Sequence, residues 1–321
     1  MHKYIGMDLG GTGIKIGLVD ENGNVLARKS TPTRSGRGED AILADIVKAF
    51  FDLLAEHGCS LEEIVSVGIG CPGAIDAAEG RAMAANNMNF QNTALVQKLS
   101  ASIPKPIYLE NDANCAAWAE AMVGAAKGTR DAVMLTLGTG VGSALILNGD
   151  LYKGFNHFGG ELGHTIIEAN GEPCVCGSRG CLEAYVSATA LIRDTKRAAE
   201  EDRSSLLWSC AASEGAFSGK TVFEAAKMGD DVAKQVVDRY VFYLAVGLVN
   251  IIRIFQPEVI VVGGGVSNAG DALFLPLSHM VEEMIQHDGV PKEKQTKIKA
   301  AERGNDAGII GAAFLGRNYK E

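Results

Sequence analysis

The sequence predicts an α/β fold of two lobes built on a duplicated β-hairpin, and three observations carry that prediction. The stretches LGGTGIKIGLVDENG, from Leu9, and LGTGVGSALILNG, from Leu137, follow one plan: a Leu-Gly turn with Thr-Gly, a strand, then an Asn-Gly turn. Such self-similarity reads as an internal duplication. Each copy is followed by helices and by strands of the parallel, buried type, the pattern of α/β architecture. Finally, 321 residues, 47% of them hydrophobic and 21% charged, are ample for a large core and suggest two domains.

The elements follow in order. Lys3–Met7 reads as a strand ending at Asp8, and Ile14–Val19 as a second; Asn22-Gly23-Asn24 is a turn, with Val25–Lys29 a third strand. A polar loop with Pro32 and Gly36 leads to an amphipathic helix, about Glu39–His57, carrying Ile42, Ile46, Phe50 and Leu53 on its apolar face. Ile64–Gly70 is a buried-type strand; a helical stretch follows around Thr93–Leu99, then a short strand, Ile107–Leu109, and a helix beginning near Ala113. In the second copy, Ala132–Leu137 and Ser143–Leu147 are the strands. Helices are expected over Ala184–Glu200, Val222–Met228 and Asp231–Phe255, the last stopped by Pro257. Glu258–Val262 is a buried strand running into Gly263-Gly264-Gly265, and Asp306–Asn318 is a last helix. The border falls near Glu120–Asp131. Residues 1–122 then form a smaller N-terminal domain and 123–305 a larger C-terminal one, with the helix at 306–321 returning to the first.

Charge and the chain's ends narrow the function classes. The net charge is −9 and no basic block occurs, which argues against a nucleic-acid partner. Phosphate groups must then be held locally, by backbone amides. The N-terminus, MHKYIGMDLGG, is no signal peptide, and the apolar run Tyr240–Ile252 is too short to span a bilayer and contains Asn250. No membrane association and a reducing cytoplasm are the expectation.

Three of the seven cysteines, Cys174, Cys176 and Cys181, crowd around Gly177 and Gly180, with His164 just upstream. Thiolates and an imidazole at this spacing suit a closed tetrahedral Zn2+ site, and the glycines let the backbone fold back so the sulfurs converge. Stray thiols or a redox pair are the bland alternative, and a disulfide leaves one thiol over. Four protein ligands leave no open position, so the ion is structural. It would stiffen flanking residues that suit a polyhydroxylated ligand: Glu161, His164 and Glu183. Against this stands the ordinary fate of glutamate, a solvated surface charge.

Glycine turns follow strands at Gly10, Gly138 and Gly263, where backbone N–H groups can approach phosphate oxygens. Thr12 and Thr139 add hydroxyls, Lys15 a cation, and Asp8 a carboxylate able to hold Mg2+ through water. Together they suggest a nucleoside triphosphate. Gly215–Thr221 resembles a P-loop but lacks one residue between its glycines and follows no strand, so it reads as a loop before a helix. Gly11-Thr12-Gly13 with Gly17 is no dinucleotide fingerprint, because a strand follows it. Asp112, between Asn111 and Asn114 at a strand end, suits either a general base or a helix N-cap.

Four motifs together resemble the ROK family of repressors, open reading frames and kinases. They are Asp8-Leu9-Gly10-Gly11-Thr12 through Lys15, Leu137-Gly138-Thr139-Gly140, Gly160-Glu161-Leu162-Gly163-His164 and Cys174-Val175-Cys176-Gly177-Ser178-Arg179-Gly180-Cys181-Leu182-Glu183. The resemblance covers essentially the whole chain and implies an actin/hexokinase-like ATPase fold, MgATP, and phosphorylation of a sugar hydroxyl. It implies Asp112 as general base, and Asn87, Asn111, Asp112, Glu161, His164 and Glu183 as sugar ligands. It further implies zinc ligation by one ring nitrogen of His164 with Cys174, Cys176 and Cys181. Gly10, Gly11, Thr12, Gly138, Thr139 and Gly140 would hold phosphates, and Gly264 and Gly265 would border the adenosine. Phe158-Gly159 departs from the small residue that many members carry before the Gly-Glu pair, which bears on the pocket wall. Homodimers or homotetramers are the family's habit.

The expectation is therefore an ATP-dependent hexose kinase, glucokinase-like, converting glucose to glucose 6-phosphate. N-acetylmannosamine, fructose, allose and mannose stay open as substrates. A sugar-sensing regulator is the competing class; its members carry a DNA-binding winged helix, for which the start of the first loop at Asp8 leaves no room.

Overall fold

A computed structural model describes residues 2–85, 88–285 and 290–317. Their elements, in chain order, begin with β1 (Lys3–Leu9), β2 (Gly13–Asp20), β3 (Val25–Pro32), α1 (Glu39–Glu56) and β4 (Ile64–Cys71). Next come β5 (Ala74–Asp76), β6 (Arg81–Ala85), β7 (Phe90–Thr93), α2 (Leu95–Ser100), β8 (Ile107–Asn111) and α3 (Asp112–Val123). The second half holds β9 (Ala132–Leu137), β10 (Val141–Leu147), β11 (Asp150–Tyr152), α4 (Glu183–Val186), α5 (Ala188–Glu201), α6 (Leu207–Glu214) and α7 (Thr221–Lys227). It closes with α8 (Asp231–Phe255), β12 (Val259–Gly263), α9 (Asp271–Ile285), β13 (Lys297–Ala300) and α10 (Ala307–Ala313).

The duplication is visible in the sheets. One runs β3-β2-β1-β4-β8 and the other β11-β10-β9-β12-β13. In the first, β1 pairs antiparallel with β2 and parallel with β4, and β4 pairs parallel with β8. In the second, β9 pairs parallel with β12, and β12 parallel with β13. A small antiparallel sheet, β5-β6-β7, accompanies the first. The chain divides into two compact units. The first holds residues up to Arg130, Ala144–Gly160 and the chain from Glu302; the second holds Asp131–Ser143 and Glu161–Ala301.

In the first unit both faces of the central strand are covered, as parallel strands require. Ile5, Met7 and Leu9 of β1 enter one core with Ile42, Ile46, Phe50 and Leu53 of α1 and Ile69 of β4. The opposite face meets α10 backbone to backbone. A Cβ on Gly6 would stand 1.8 Å from the Ile309 carbonyl oxygen, and one on Gly68 1.7 Å from that of Ala312. On its other side α10 meets α3, where a Cβ on Gly311 would fall 1.6 Å from the Cys115 carbonyl oxygen. Glycine at these points lets α10 wedge between the sheet and α3. The far end of α3 is tied down by Glu120, which is fully buried. Its carboxylate accepts the backbone N–H groups of Ala125 at 2.8 Å, Glu302 at 2.9 Å and Arg303 at 2.7 Å.

Several expectations need correction. The helix expected over Ala184–Glu200 is two, α4 and α5, broken at Ser187. Ser187 is extended (φ −72°, ψ 159°) because it caps α5, its side chain accepting the Ala190 N–H. The short strands β5–β7, β11 and β13 and the helices α6 and α9 carried no readable signal. The strands are three to five residues long, and α9 contains Pro276. Gly215–Lys220 is a loop ahead of α7, whose first residue is Thr221, with Gly215 capping α6 at φ 81°. Helix α8 is 25 residues long and, by length and composition, could cross a membrane, yet 61% of its apolar window is buried in the fold.

Gly68→Ala tests the wedge. The added methyl cannot be accommodated without moving α10, so stability should fall by about 1–3 kcal/mol, read as a lower urea midpoint; an unchanged midpoint would show that the contact is not tight.

Candidate active site and cysteine cluster

In the first unit the duplicated hairpin brings together the first group of candidates. Asp8 and Lys15 face each other across β1 and β2, with Lys15 Nζ 3.3 Å from Asp8 Oδ2. Lys15 is half exposed, so this pair adds little stability. The turn between the strands is closed by Gly10 N–H donating to the Gly13 carbonyl at 2.9 Å. Thr33 pins it from outside, its hydroxyl donating to the Gly10 carbonyl at 2.5 Å. Thr12 is exposed at the tip, next to Gly11.

At the end of β8 the question of what caps α3 has a definite answer. Asn111 is the N-cap: its Oδ1 accepts the N–H groups of Ala113 at 2.8 Å and Asn114 at 3.2 Å. Its amide nitrogen donates to the Gly73 carbonyl at 3.1 Å, which leaves its second amide hydrogen for a ligand. Asp112 is the first residue inside the helix, and Oδ1 accepts the Ala113 N–H at 2.9 Å. Burial pushes the neighbouring Cys71 thiol up to about 12, with the Asp112 charge adding to it. Asn87, the remaining sugar-ligand candidate of this half, lies outside the described residues.

In the second unit the knuckle is built by short-range backbone bonds. Cys174 N–H donates to Ser178 at 2.9 Å and Gly177 N–H to Cys174 at 3.1 Å. Gly177 and Gly180 have φ of 90° and 77°. A Cβ on Gly180 would also lie 1.8 Å from the Glu168 carbonyl oxygen, so only glycine fits there. The fold gathers His164, Cys174, Cys176 and Cys181 with all ligand atoms within 4.8 Å of one another. His164 Nδ1 stands 3.6 Å from Cys174 Sγ, and Cys176 Sγ 3.7 Å from Cys181 Sγ. Sulfurs bound at about 2.3 Å to one tetrahedral zinc stand about 3.8 Å apart, so the donor set fits that ion. The Ser178 backbone N–H, aided by the Cys174 and Ser178 side chains, pulls the Cys176 thiol down to about 7. Burial holds Cys181 up at about 12, so this thiol has to give up its proton on metal binding.

Glu183, the first residue of α4, joins the knuckle to the second glycine turn. Oε2 accepts the Val141 N–H at 2.8 Å, and Oε1 lies 3.7 Å from Cys174 Sγ. A Cβ on Gly140 would sit 2.4 Å from Oε2, so that turn presses on the carboxylate. The turn at Gly138–Gly140 is closed by Gly138 N–H donating to the Gly140 carbonyl at 3.0 Å. The start of α5 holds it from below: Ala188 N–H donates to the Gly138 carbonyl, and the Thr189 hydroxyl to that of Thr139, both at 2.7 Å. Gly264 has φ 86°, and a Cβ there would lie 2.5 Å from the Leu137 carbonyl oxygen, while Gly265 faces open space. Both glycine segments therefore stand where the parallel strands β9 and β12 end. Glu161 is exposed at the start of the turn holding Leu162 and His164, and Ser143 Oγ accepts the Leu162 N–H at 2.9 Å. Phe158 is also exposed.

Two residues of the first unit escaped the sequence reading. Glu110 is buried beside Asn111 and Asp112, and Lys153 makes an ion pair with it. The strand β8 is of mixed exposure, with Tyr108 exposed and Leu109 buried, so the burial of Glu110 was not legible in the sequence, and nothing there ties Lys153 to it.

Comparison with known proteins places the chain in a family. The ROK family model matches residues 4–318. A glucokinase of Thermotoga maritima is 38% identical over 98% of this chain and 96% of its own. The structure of a ROK family glucokinase from Streptomyces griseus, in complex with glucose and AMPPNP, superposes with a TM-score of 0.80 at 32% identity, over 98% of each chain. A ROK family transcriptional regulator, a homologue of the E. coli MLC protein, superposes with a TM-score of 0.84 at 25% identity over 99% of this chain and 78% of its own.

If the cluster holds zinc, metal analysis of purified protein should find about one ion per chain, and Cys181→Ser should lower both that figure and the thermal midpoint. A full complement of zinc in the variant would remove Cys181 from the ligand set.

Proposed function

Because this chain belongs to the ROK family, we propose that it catalyses ATP-dependent phosphorylation of glucose at its 6-hydroxyl. Its full-length similarity to glucokinases supports the substrate class. Asp112 is the general base. The observation that supports this role is the capping of α3 by Asn111, which makes Asp112 the first helical residue and not the cap, with Oδ1 on the Ala113 N–H. Its carboxylate takes the proton of the sugar hydroxyl as that oxygen attacks the γ-phosphorus in line. The new O–P bond forms, the bond to the β–γ bridging oxygen breaks, and ADP leaves with that electron pair.

Asn111, Glu161, His164 and Glu183 orient the sugar through its hydroxyls, with Asn87 as a further ligand. Each keeps at least one polar atom that can hydrogen-bond a sugar hydroxyl. Glu183 is itself held by the Val141 N–H, which restricts its carboxylate before any sugar arrives. The turns at Gly10–Thr12 and Gly138–Gly140 offer backbone N–H groups to the phosphates, and Gly264 and Gly265 border the adenosine. Magnesium supplies charge neutralisation on the phosphate oxygens when bound, and Asp8 is the carboxylate to hold it through water. The cysteine cluster has no open position and serves to hold His164 and Glu183 in place. We place the enzyme in the cytoplasm as a homodimer or homotetramer.

ADP release on mixing with glucose and MgATP tests the activity directly, and its absence with every hexose and with N-acetylmannosamine would leave a sugar-binding protein. Turnover across glucose, mannose, fructose, allose and N-acetylmannosamine ranks the substrates, with glucose expected first. Asp112→Asn should lower kcat about a hundredfold or more while the glucose Kd stays within about threefold. Near-normal turnover in that variant removes Asp112 as the base.

A further inference from the structure

Glu110 is 3% exposed and immediately precedes the Asn111-Asp112 pair. A buried carboxylate is costly unless its charge and lone pairs are met. Among the described residues, its donors are part of the Asp112 turn or the cation of Lys153. Oε1 accepts the Asn111 backbone N–H at 2.9 Å and the Asn114 side-chain amide at 3.0 Å. Oε2 takes the Lys153 ammonium. Lys153 comes from the segment after β11, far from α3 in sequence, and a third of its side chain is exposed. Glu110 and Lys153 both line a cavity of about 1400 Å³ in the first unit. After burial, Glu110, Asp112, Asp8 and Lys153 are the charges that act on the buried Cys115 thiol, one turn into α3.

We infer that Glu110 and Lys153 are positioning residues for Asp112. Glu110 clamps the residues on both sides of it, Asn111 by the backbone and Asn114 by the side chain, and Lys153 neutralises the clamp. This inference rests on the reading of Asp112 as the base. The clamp fixes the α3 first turn from outside, so the Asp112 carboxylate is presented in one orientation. Without Lys153, the clamp becomes an uncompensated buried anion beside the base. A neutral pair, with glutamine at 110 and methionine at 153, keeps an amide oxygen for both donors and leaves no unpaired charge.

Kinetics on the full-length protein test this. Glu110→Ala should lower kcat about tenfold or more while KM for glucose and for ATP stays within about threefold, the mark of lost orientation rather than lost binding. In the Asp112→Asn background the same change should lower residual turnover by less than about twofold, because residues that act as a unit are not additive. Lys153→Met should also lower kcat about tenfold, and adding Glu110→Gln to it should restore kcat to within about threefold of the parent. This second pair decides the matter if Glu110→Ala does not fold. An equal loss in both Asp112 backgrounds, a normal kcat in Glu110→Ala, or no recovery in the Glu110→Gln/Lys153→Met protein overturns the inference. Should Asp112→Asn itself turn over normally, it is the base assignment that falls.

Discussion

The first turn of α3 begins with backbone N–H groups that no residue of the helix itself can accept. Who accepts them decides what the neighbouring side chains can do. Asn111 takes two of them with one oxygen, so Asp112 enters the helix as its first residue and not as its cap. The Asn111 N–H needs an acceptor as well, and a buried carboxylate, Glu110, supplies it. One accounting of donors thus arranges three consecutive polar residues in three different jobs. The same buried carboxylate creates the demand for a cation, which Lys153 meets.

That turn is placed in space by the absence of side chains elsewhere. Glycines at 6, 68 and 311 let α10 lie between the sheet and α3 at backbone contact. At such distances a methyl group has nowhere to go, because backbone cannot swing aside as a flexible side chain does. Gly308 continues the pattern toward Asp8, where a Cβ would stand 3.0 Å from the carboxylate carbon. The chain's last described helix therefore helps to position both the first glycine turn and the start of α3, although it contributes no candidate ligand of its own.

In the second unit the equivalent constraint is Glu183. Its carboxylate touches the cysteine knuckle on one side and accepts a backbone N–H from the second glycine turn on the other. The knuckle is held by its own backbone bonds and by two glycines with positive φ, so its rigidity passes to Glu183 and to His164. The glycine turn is held in turn by the start of α5, which exists as a separate helix because Ser187 caps it. The break in the expected helix thus has a use: it delivers two donors to the carbonyls of Gly138 and Thr139.

The local features of this protein were decided by its sequence alone. Strand β1, helix α1 and helix α8 declare themselves through periodicity, and the duplicated hairpins through repeated glycine and Asn-Gly turns. The cysteine cluster is legible for the same reason: three of its ligands lie within eight residues, where chain geometry leaves little choice. Tertiary structure alone decided the rest. Whether Asn111 or Asp112 caps α3 depends on which residue precedes the helix and accepts two of its free N–H groups, and spacing does not distinguish them. The pairing of Glu110 with Lys153, the hold of Glu120 on Glu302 and Arg303, and the clearance around Gly68 and Gly311 join residues remote in the chain. Such contacts are set by how whole elements pack, and a buried charge or a missing Cβ shows its purpose only when its distant neighbour is in place.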